Sequence, residues 1–215
     1  MEITVPHFRA TKDVSIADDI VEEVGRIYGY DNITPSAPLV PCVPPVKNDF
    51  RTFERNVKSI LTNSFSMIEV MGYSFTGEKI LNLLGINNDM ELRLKNPLSI
   101  EQDRLRRSIV PDMVTFIQHN QRYSENFSIF ELGRVYIKND RNSSELISEN
   151  TRTAGAVYMK KPDGPLFFEA KRITSGLMEQ LKVKKFGLIP EKDSLPPYAH
   201  PGRSMRLTVE DKDAG

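Results

Sequence analysis

The run Phe127-Ser-Ile-Phe-Glu-Leu-Gly-Arg-Val-Tyr-Ile137 reads as one long strand, with a break expected at Gly133. What surrounds it decides the fold class. A polar stretch, Asn139 to Thr151, has the composition of a loop or hairpin tip, and Ala154 to Lys160 reads as a second strand directly after it. Phe168 to Leu181 then carries a helical pattern and Arg203 to Val209 another strand. Strands that follow one another without an intervening helix do not fit the parallel βαβ plan. They predict an α+β fold, an antiparallel sheet with helices packed on it.

Upstream, Phe50, Phe53, Val57, Ile60 and Leu61 mark an amphipathic helix of about five turns over Asp49 to Phe65. Met67 to Phe75 is strand-like, Lys79 to Leu84 a short helix closed by Gly85, and Glu91 to Leu94 an alternating strand. Pro111 opens a helix running to about Tyr123. Residues 34 to 46 hold Pro35, Pro38, Pro41, Pro44 and Pro45. Proline lacks the donor that helices and central strands need, so 37–46 is read as a linker. It divides a small opening segment, 1–36, from a core domain, 47–215.

The opening segment contains Asp13-Val-Ser-Ile-Ala-Asp-Asp-Ile-Val-Glu-Glu-Val-Gly-Arg-Ile-Tyr-Gly29. Ser15 with Asp18 is a capping-box pattern, Ile20, Val24 and Ile27 give an apolar face, and Gly29 supplies the C-cap. Asp19, Glu22, Glu23 and Arg26 share another face. Like charges so spaced cost helix stability unless something positive sits among them. Acidic helix faces are common, so the residues alone read as solvated surface. Clustered carboxylates completed by water also suit Mg²⁺, which makes Asp13, Asp19, Glu22 and Glu23 the candidate ligands.

Size, charge and cysteine content narrow the function classes. The chain has 215 residues, 39% hydrophobic and 27% charged, ordinary for a globular protein. Lys plus Arg and Asp plus Glu are both 29. Zero net charge does not favour a stand-alone nucleic-acid binder. Cys42 is the only cysteine, so an intrachain disulfide is impossible and a reducing cytoplasm fits. No apolar run approaches membrane-spanning length. Neither zinc-ligand spacing among His7, His119 and His200, nor a P-loop, nor G-x-G-x-x-G is present. Glu2 to Val5 reads as a strand with no preceding turn, and Leu207 to Val209 as a strand followed only by a turn. Both ends read as cuts through a longer protein.

Several blocks together resemble the β subunit of bacterial phenylalanyl-tRNA synthetase. They are Val5-Pro-His-Phe-Arg9, Asp13, Asp19-Ile-Val-Glu-Glu23 and Arg26-Ile-Tyr-Gly-Tyr-Asp-Asn-Ile33; then Asn63-Ser-Phe65, Glu69-Val70 and Tyr73-Ser-Phe75; then Asn96-Pro-Leu-Ser99, Leu105-Arg-Arg-Ser108 and Pro111; then Phe130-Glu-Leu-Gly-Arg-Val-Tyr136; then His200-Pro-Gly-Arg-Ser204. The chain departs from the pattern by two extra residues between Arg9 and Asp13, and by Ser64 where glycine is usual. The resemblance implies a class II synthetase-like core that has lost its chemistry, preceded by part of a helix-turn-helix-like domain. It implies an α subunit as partner in an (αβ)₂ holoenzyme that joins phenylalanine to tRNA(Phe) with ATP and Mg²⁺. The Mg²⁺ ligands Asp13, Asp19, Glu22 and Glu23 would be shared with α. No catalytic residue is assigned to this chain, because the glycine-rich nucleotide motif is missing. Glu131 and Arg134 lie on the strand where class II enzymes carry an ATP-binding arginine. Arg104, Arg106 and Arg107 form the densest positive cluster, read either as phosphate contacts to tRNA or as ion pairs with Glu101, Asp103 or a partner. A nucleic-acid-binding module is the alternative function.

Overall fold

The computed structural model describes residues 2–141 and 146–214. The chain forms two compact units, 1–47 and 48–215. The first contains helix α1, Ala17–Tyr28, a 3-10 turn at Tyr30–Asn32, and an extended proline-rich run without regular structure. Gly29 ends α1 at φ 90°, a conformation that suits glycine. The expected strand at Glu2 to Val5 does not form, because among the described residues of this unit there is no strand for it to pair with.

The helix begins one residue later than the sequence reading placed it. Ile16, not Ser15, is the N-cap residue, and it has no side-chain acceptor to offer. The carboxylate of Asp19 does the capping from within, accepting hydrogen bonds from the backbone N–H of Ser15 at 2.6 Å and of Ile16 at 2.9 Å. This is the return half of a capping box.

The second unit is built on β5, Asn126–Arg141, and β6, Ile147–Met159, a long antiparallel hairpin in the register Asn126 opposite Met159 through Tyr136 opposite Glu149. The parallel pairing of β1, Ile68–Glu69, with β5 completes a three-stranded sheet, ordered β1-β5-β6. Alternation along β5 sends its two faces into two cores. Phe130 and Leu132 meet α2, Asp49–Phe65, and α5, Leu166–Gln180, through Val57, Leu61 and Ile173, and Met67, just after α2, joins the same core. Ile129 and Val135 meet α4, Val110–Asn120, through Ile109 and Met113. Phe130 is fully buried.

Two small sheets flank this centre. One has the order β2-β4-β3, with β2 at Phe75–Thr76, β3 at Leu92–Arg93 and β4 at Arg104–Leu105; α3, Glu78–Leu83, follows β2 in the chain. The other has the order β7-β8-β9, with β7 at Phe186–Pro190, β8 at Met205–Val209 and β9 at Lys212–Asp213.

Three sequence expectations change. Met67 to Phe75 is not one strand: its ends belong to β1 and β2, in different sheets. Gly133 does not interrupt β5, since it keeps its place opposite Arg152. Much of the polar Asn139 to Thr151 stretch is strand on both sides of residues 142–145, which lie outside the described residues. The remaining helices lie within two or three residues of the sequence reading.

Candidate functional site

Arg9 occupies the middle of the acidic segment. Its Nε and Nη2 donate to Asp13 at 2.8 and 3.1 Å, and Nη2 also donates to Glu23 at 2.8 Å. Arg26 donates to the other oxygen of Glu23 at 2.7 Å. A positive charge therefore does sit among the carboxylates. Hydrogen bonds from Arg9 and then Arg26 hold the Glu23 carboxyl down at about 2, and Arg9 lowers Asp13. The N–H groups of Ser15 and Ile16 lower Asp19. Glu22 is exposed.

This arrangement does not fit a magnesium ion. Asp13 and Glu23 are brought together, but by Arg9, while Asp19 is turned to the helix start. Among the described residues no group of three or more His, Cys, Asp or Glu is placed to hold a metal ion. Magnesium demands near-octahedral oxygen ligands, and the oxygens of Asp13 and Glu23 and Oδ2 of Asp19 already have partners.

The arginine cluster turns inward. Arg104 reaches Asp103 and Glu78, both at 3.0 Å, and Asp103 also receives Arg93 at 3.1 Å. Arg106 is buried and donates to Asp112 at 2.6 Å, to Glu131 at 2.7 Å and to the carbonyl of Arg134 at 3.0 Å. Asp103 was among the expected partners; Glu78, Asp112 and Glu131 were not. Gly133 was the signal to read. A Cβ there would stand 2.2 Å from the Arg106 guanidinium, so glycine marks the place where that group crosses the strand. Arg107 stays exposed. Arg134 lies on the opposite face of β5 from Glu131 and pairs with Glu149 at the surface.

His200 belongs to a turn. Its Nδ1 accepts from the N–H of Gly202 at 3.0 Å, and its carbonyl accepts from Ser204 Oγ at 2.8 Å, just before β8. With Arg203 it borders an open cleft of about 730 Å³ beside Leu166 and Phe167.

The exposed apolar side chains of the second unit point to another kind of site. Helix α2 buries Val57 and Leu61 but leaves Phe50 and Phe53 half exposed at its start. Beside it, a cleft of about 340 Å³ runs between α2 and the hairpin, bordered by Phe50, Arg51, Glu54, Lys58, Leu132 and Arg134. Lys58 ties α2 to Glu69 of β1 at 2.5 Å. β1 stands at the edge of its sheet, and Ile68, Met71 and Tyr73 on or just after it are exposed. An open strand edge and uncovered aromatics are both features of surfaces suited to a protein partner.

The fold of this chain is similar to that of two solved structures. Two solved structures of pyrrolysyl-tRNA synthetase from Desulfitobacterium hafniense match 76% of it, at TM-scores of 0.55 and 0.57 over 54% and 56% of their own chains, with 16% and 17% identity. Residues 33–215 match the family described as the phenylalanyl tRNA synthetase beta chain CLM domain, and the chain belongs to that family. The phenylalanine–tRNA ligase β subunit of Solibacter usitatus is 38% identical over 82% of the chain, and that of Carboxydothermus hydrogenoformans 31% identical over 99%. The chain spans about a quarter of the length of these relatives, 22% and 27%.

Proposed function

We propose that this chain serves as a non-catalytic structural part of a phenylalanine–tRNA ligase β subunit, and that its task is to assemble with the α subunit. The observation that carries the reading is the uncovered aromatic start of α2, Phe50 and Phe53, with Ile68 on the edge strand β1 and Met71 and Tyr73 after it also exposed. The membership of residues 33–215 in the β-chain family supports it. ATP, tRNA(Phe) and the aminoacylation step belong, on this reading, to the α-containing holoenzyme in the cytoplasm. The internal ion pairs of Arg104 and Arg106 leave those two residues little to offer a phosphate backbone, which weighs against the nucleic-acid-binding alternative for this cluster, with Arg107 alone of the three exposed. No helix among the described residues is long and apolar enough to cross a membrane.

We place the division of labour along the chain as 1–36, the end of a small helix-turn-helix-like domain; 37–46, linker; and 47–215, the synthetase-like core. Magnesium enters this scheme only with the partner. Arg9 must release Asp13 and Glu23 before either can face an ion, and Asp19 must leave the start of α1. A shared site would therefore be assembled by α, with Glu22 the one candidate already free to turn.

Co-expression with a cognate α subunit tests the proposal. The Phe50→Ser, Phe53→Ser double variant should lose most of the co-purifying α subunit while keeping the wild-type circular dichroism spectrum. Pure chain should show no phenylalanine-dependent ATP–pyrophosphate exchange. Undiminished capture of α by the folded double variant would remove the proposed surface, and exchange activity in pure chain would remove the non-catalytic reading.

A further inference from the structure

The buried charges around Arg106 do not balance. Arg106 contributes one positive charge; Asp112 and Glu131 contribute two negative ones, each bonded to a different nitrogen of the same guanidinium. The third nitrogen is committed to the carbonyl of Arg134. The Arg106 and Glu131 side chains are 3% and 4% exposed, and that of Asp112 18%. Glu131 Oε2 is buried and has no hydrogen-bond partner among the described residues. Gly72 lies against the same cluster. A Cβ there would stand 3.1 Å from Glu131 Oε2, 3.2 Å from Arg106 Nη1 and 3.4 Å from Asp112 Oδ2, so there is no side chain to supply a missing donor.

Fully ionised, this group holds a net charge of minus one with little water around it, and an unpaired carboxylate oxygen inside a protein is costly. Two carboxylates that share one cation lower that cost when one of them takes a proton. Asp112 is the one that solvent can still reach. The charged groups facing it are Arg106, from the segment between β4 and α4, and Glu131, from β5. Burial pushes the Asp112 carboxyl up to about 6, with Glu131 adding to the rise and Arg106 opposing it.

The cluster also sits at a joint. The backbone N–H of Arg106 donates to the carbonyl of Ser74, next to β2, and its own carbonyl accepts from the N–H of Tyr136 in β5. One residue therefore links the small β2-β4-β3 sheet to the central sheet, while its side chain holds α4 through Asp112. We propose that Arg106, Asp112 and Glu131 form a proton-operated latch: a solvent proton taken up on the Asp112 carboxylate balances the buried charge while its other oxygen keeps accepting from the Arg106 guanidinium, and so stabilises the joint between the two sheets and α4.

The sign follows from linkage. In the unfolded chain Asp112 titrates near its ordinary 3.8, and in the fold near 6. Between these values the folded form holds more protons. Stability from this group is therefore gained as pH falls from 7 to 5 and lost as pH rises through 6. The carboxyls with lowered values, Asp13, Asp19, Glu23, Glu169 and Glu191, act in the opposite sense and below this window.

Denaturant unfolding of the 215-residue chain at pH 7 and pH 5 tests the latch. The wild-type unfolding constant should fall about tenfold across that step. Asp112→Asn should remove the fall and should equal or exceed the wild type in stability at pH 7. Glu131→Gln should move the transition to lower pH, since a like charge is gone. Carboxyl ¹³C chemical shifts of the wild type supply a reading that does not depend on the variants folding: an Asp112 inflection near pH 6 supports the latch. An inflection at 4 or below, or the same pH dependence in Asp112→Asn as in wild type, overturns it.

Discussion

Helices α1 and α2 are both amphipathic, yet α2 buries Val57 to 4% and Leu61 to 3% while α1 buries none of its residues. Ile27, on the apolar face of α1, is 82% exposed. Among the described residues the first unit has one buried apolar side chain, Val14 just ahead of the helix, whereas the second has a core on each face of the β5–β6 hairpin. The contrast separates two ways of holding a helix. In α2, apolar area removed from water does the work, roughly 25 cal/mol per Å². In α1, polar contacts define the ends and one face: Asp19 caps the start, and Arg9 and Arg26 clasp Glu23. Exposed ion pairs of that kind contribute little individually, so α1 should be the looser of the two.

The largest effect that bears on this contrast is expected in the second unit. Phe130→Ala empties a site that is fully buried between β5, α2 and α5, and should cost about 3–5 kcal/mol in denaturant unfolding. A cost below about 1 kcal/mol would mean that this core does not hold the unit together. A smaller, local effect belongs to α1. Asp19→Ala removes the acceptor for two backbone N–H groups, so hydrogen exchange across the first turn should speed up. Ser15→Ala should leave exchange nearly unchanged, because the Ser15 hydroxyl makes only a 3.4 Å contact to the same carboxylate. The reverse ranking would restore Ser15 as the cap. Smallest of all should be Ile27→Ala, within about 0.5 kcal/mol of wild type in the isolated chain. A loss of 2 kcal/mol would show that something covers the α1 face and would erase the contrast.

The sequence revealed these two regions unequally. Helix α2 is legible because Phe50, Phe53, Val57 and Leu61 keep a helical period from position 50 to position 61 and the helix does bury one side. The β5–β6 hairpin was legible from two strand-like runs in direct succession. Periodicity is a local signal, and it failed where the outcome depended on distant residues. Met67 to Phe75 looked continuous because its ends have similar composition; that they join different sheets is decided by β4 and β5. β7 leaves little trace in the sequence because Gly187 and Pro190 dilute a five-residue strand whose partner β8 lies beyond a loop. For the candidate site, the acidic residues were found but not their arrangement, since Arg9 lies outside the helix whose face it closes. The sequence places Arg106 in a dense run of arginines that suits either phosphate contacts or ion pairs with Glu101, Asp103 or a partner, and does not single it out as the buried one. Only Gly133, in a strand interior, hinted that a large side chain passes there.

The parallel pairing of β1 with β5 bears on the order in which the chain assembles. The hairpin of β5 and β6 is local, so it can close quickly and bring Phe130 and Ile129 to its two faces. β1 can add to it only after the small β2-β4-β3 sheet, α3 and α4, all of which lie between β1 and β5 in the chain, have been looped out or folded. The edge carrying Ile68 is therefore the last part of the central sheet to be completed. In pulse-labelled refolding, amide protection at Val70, which donates to the carbonyl of Phe130, should trail protection within the hairpin. During that interval the open side of β5 is exposed to any strand that reaches it first, so the same topology that places β1 at the margin leaves the nascent sheet vulnerable to mispairing until the crossover is complete.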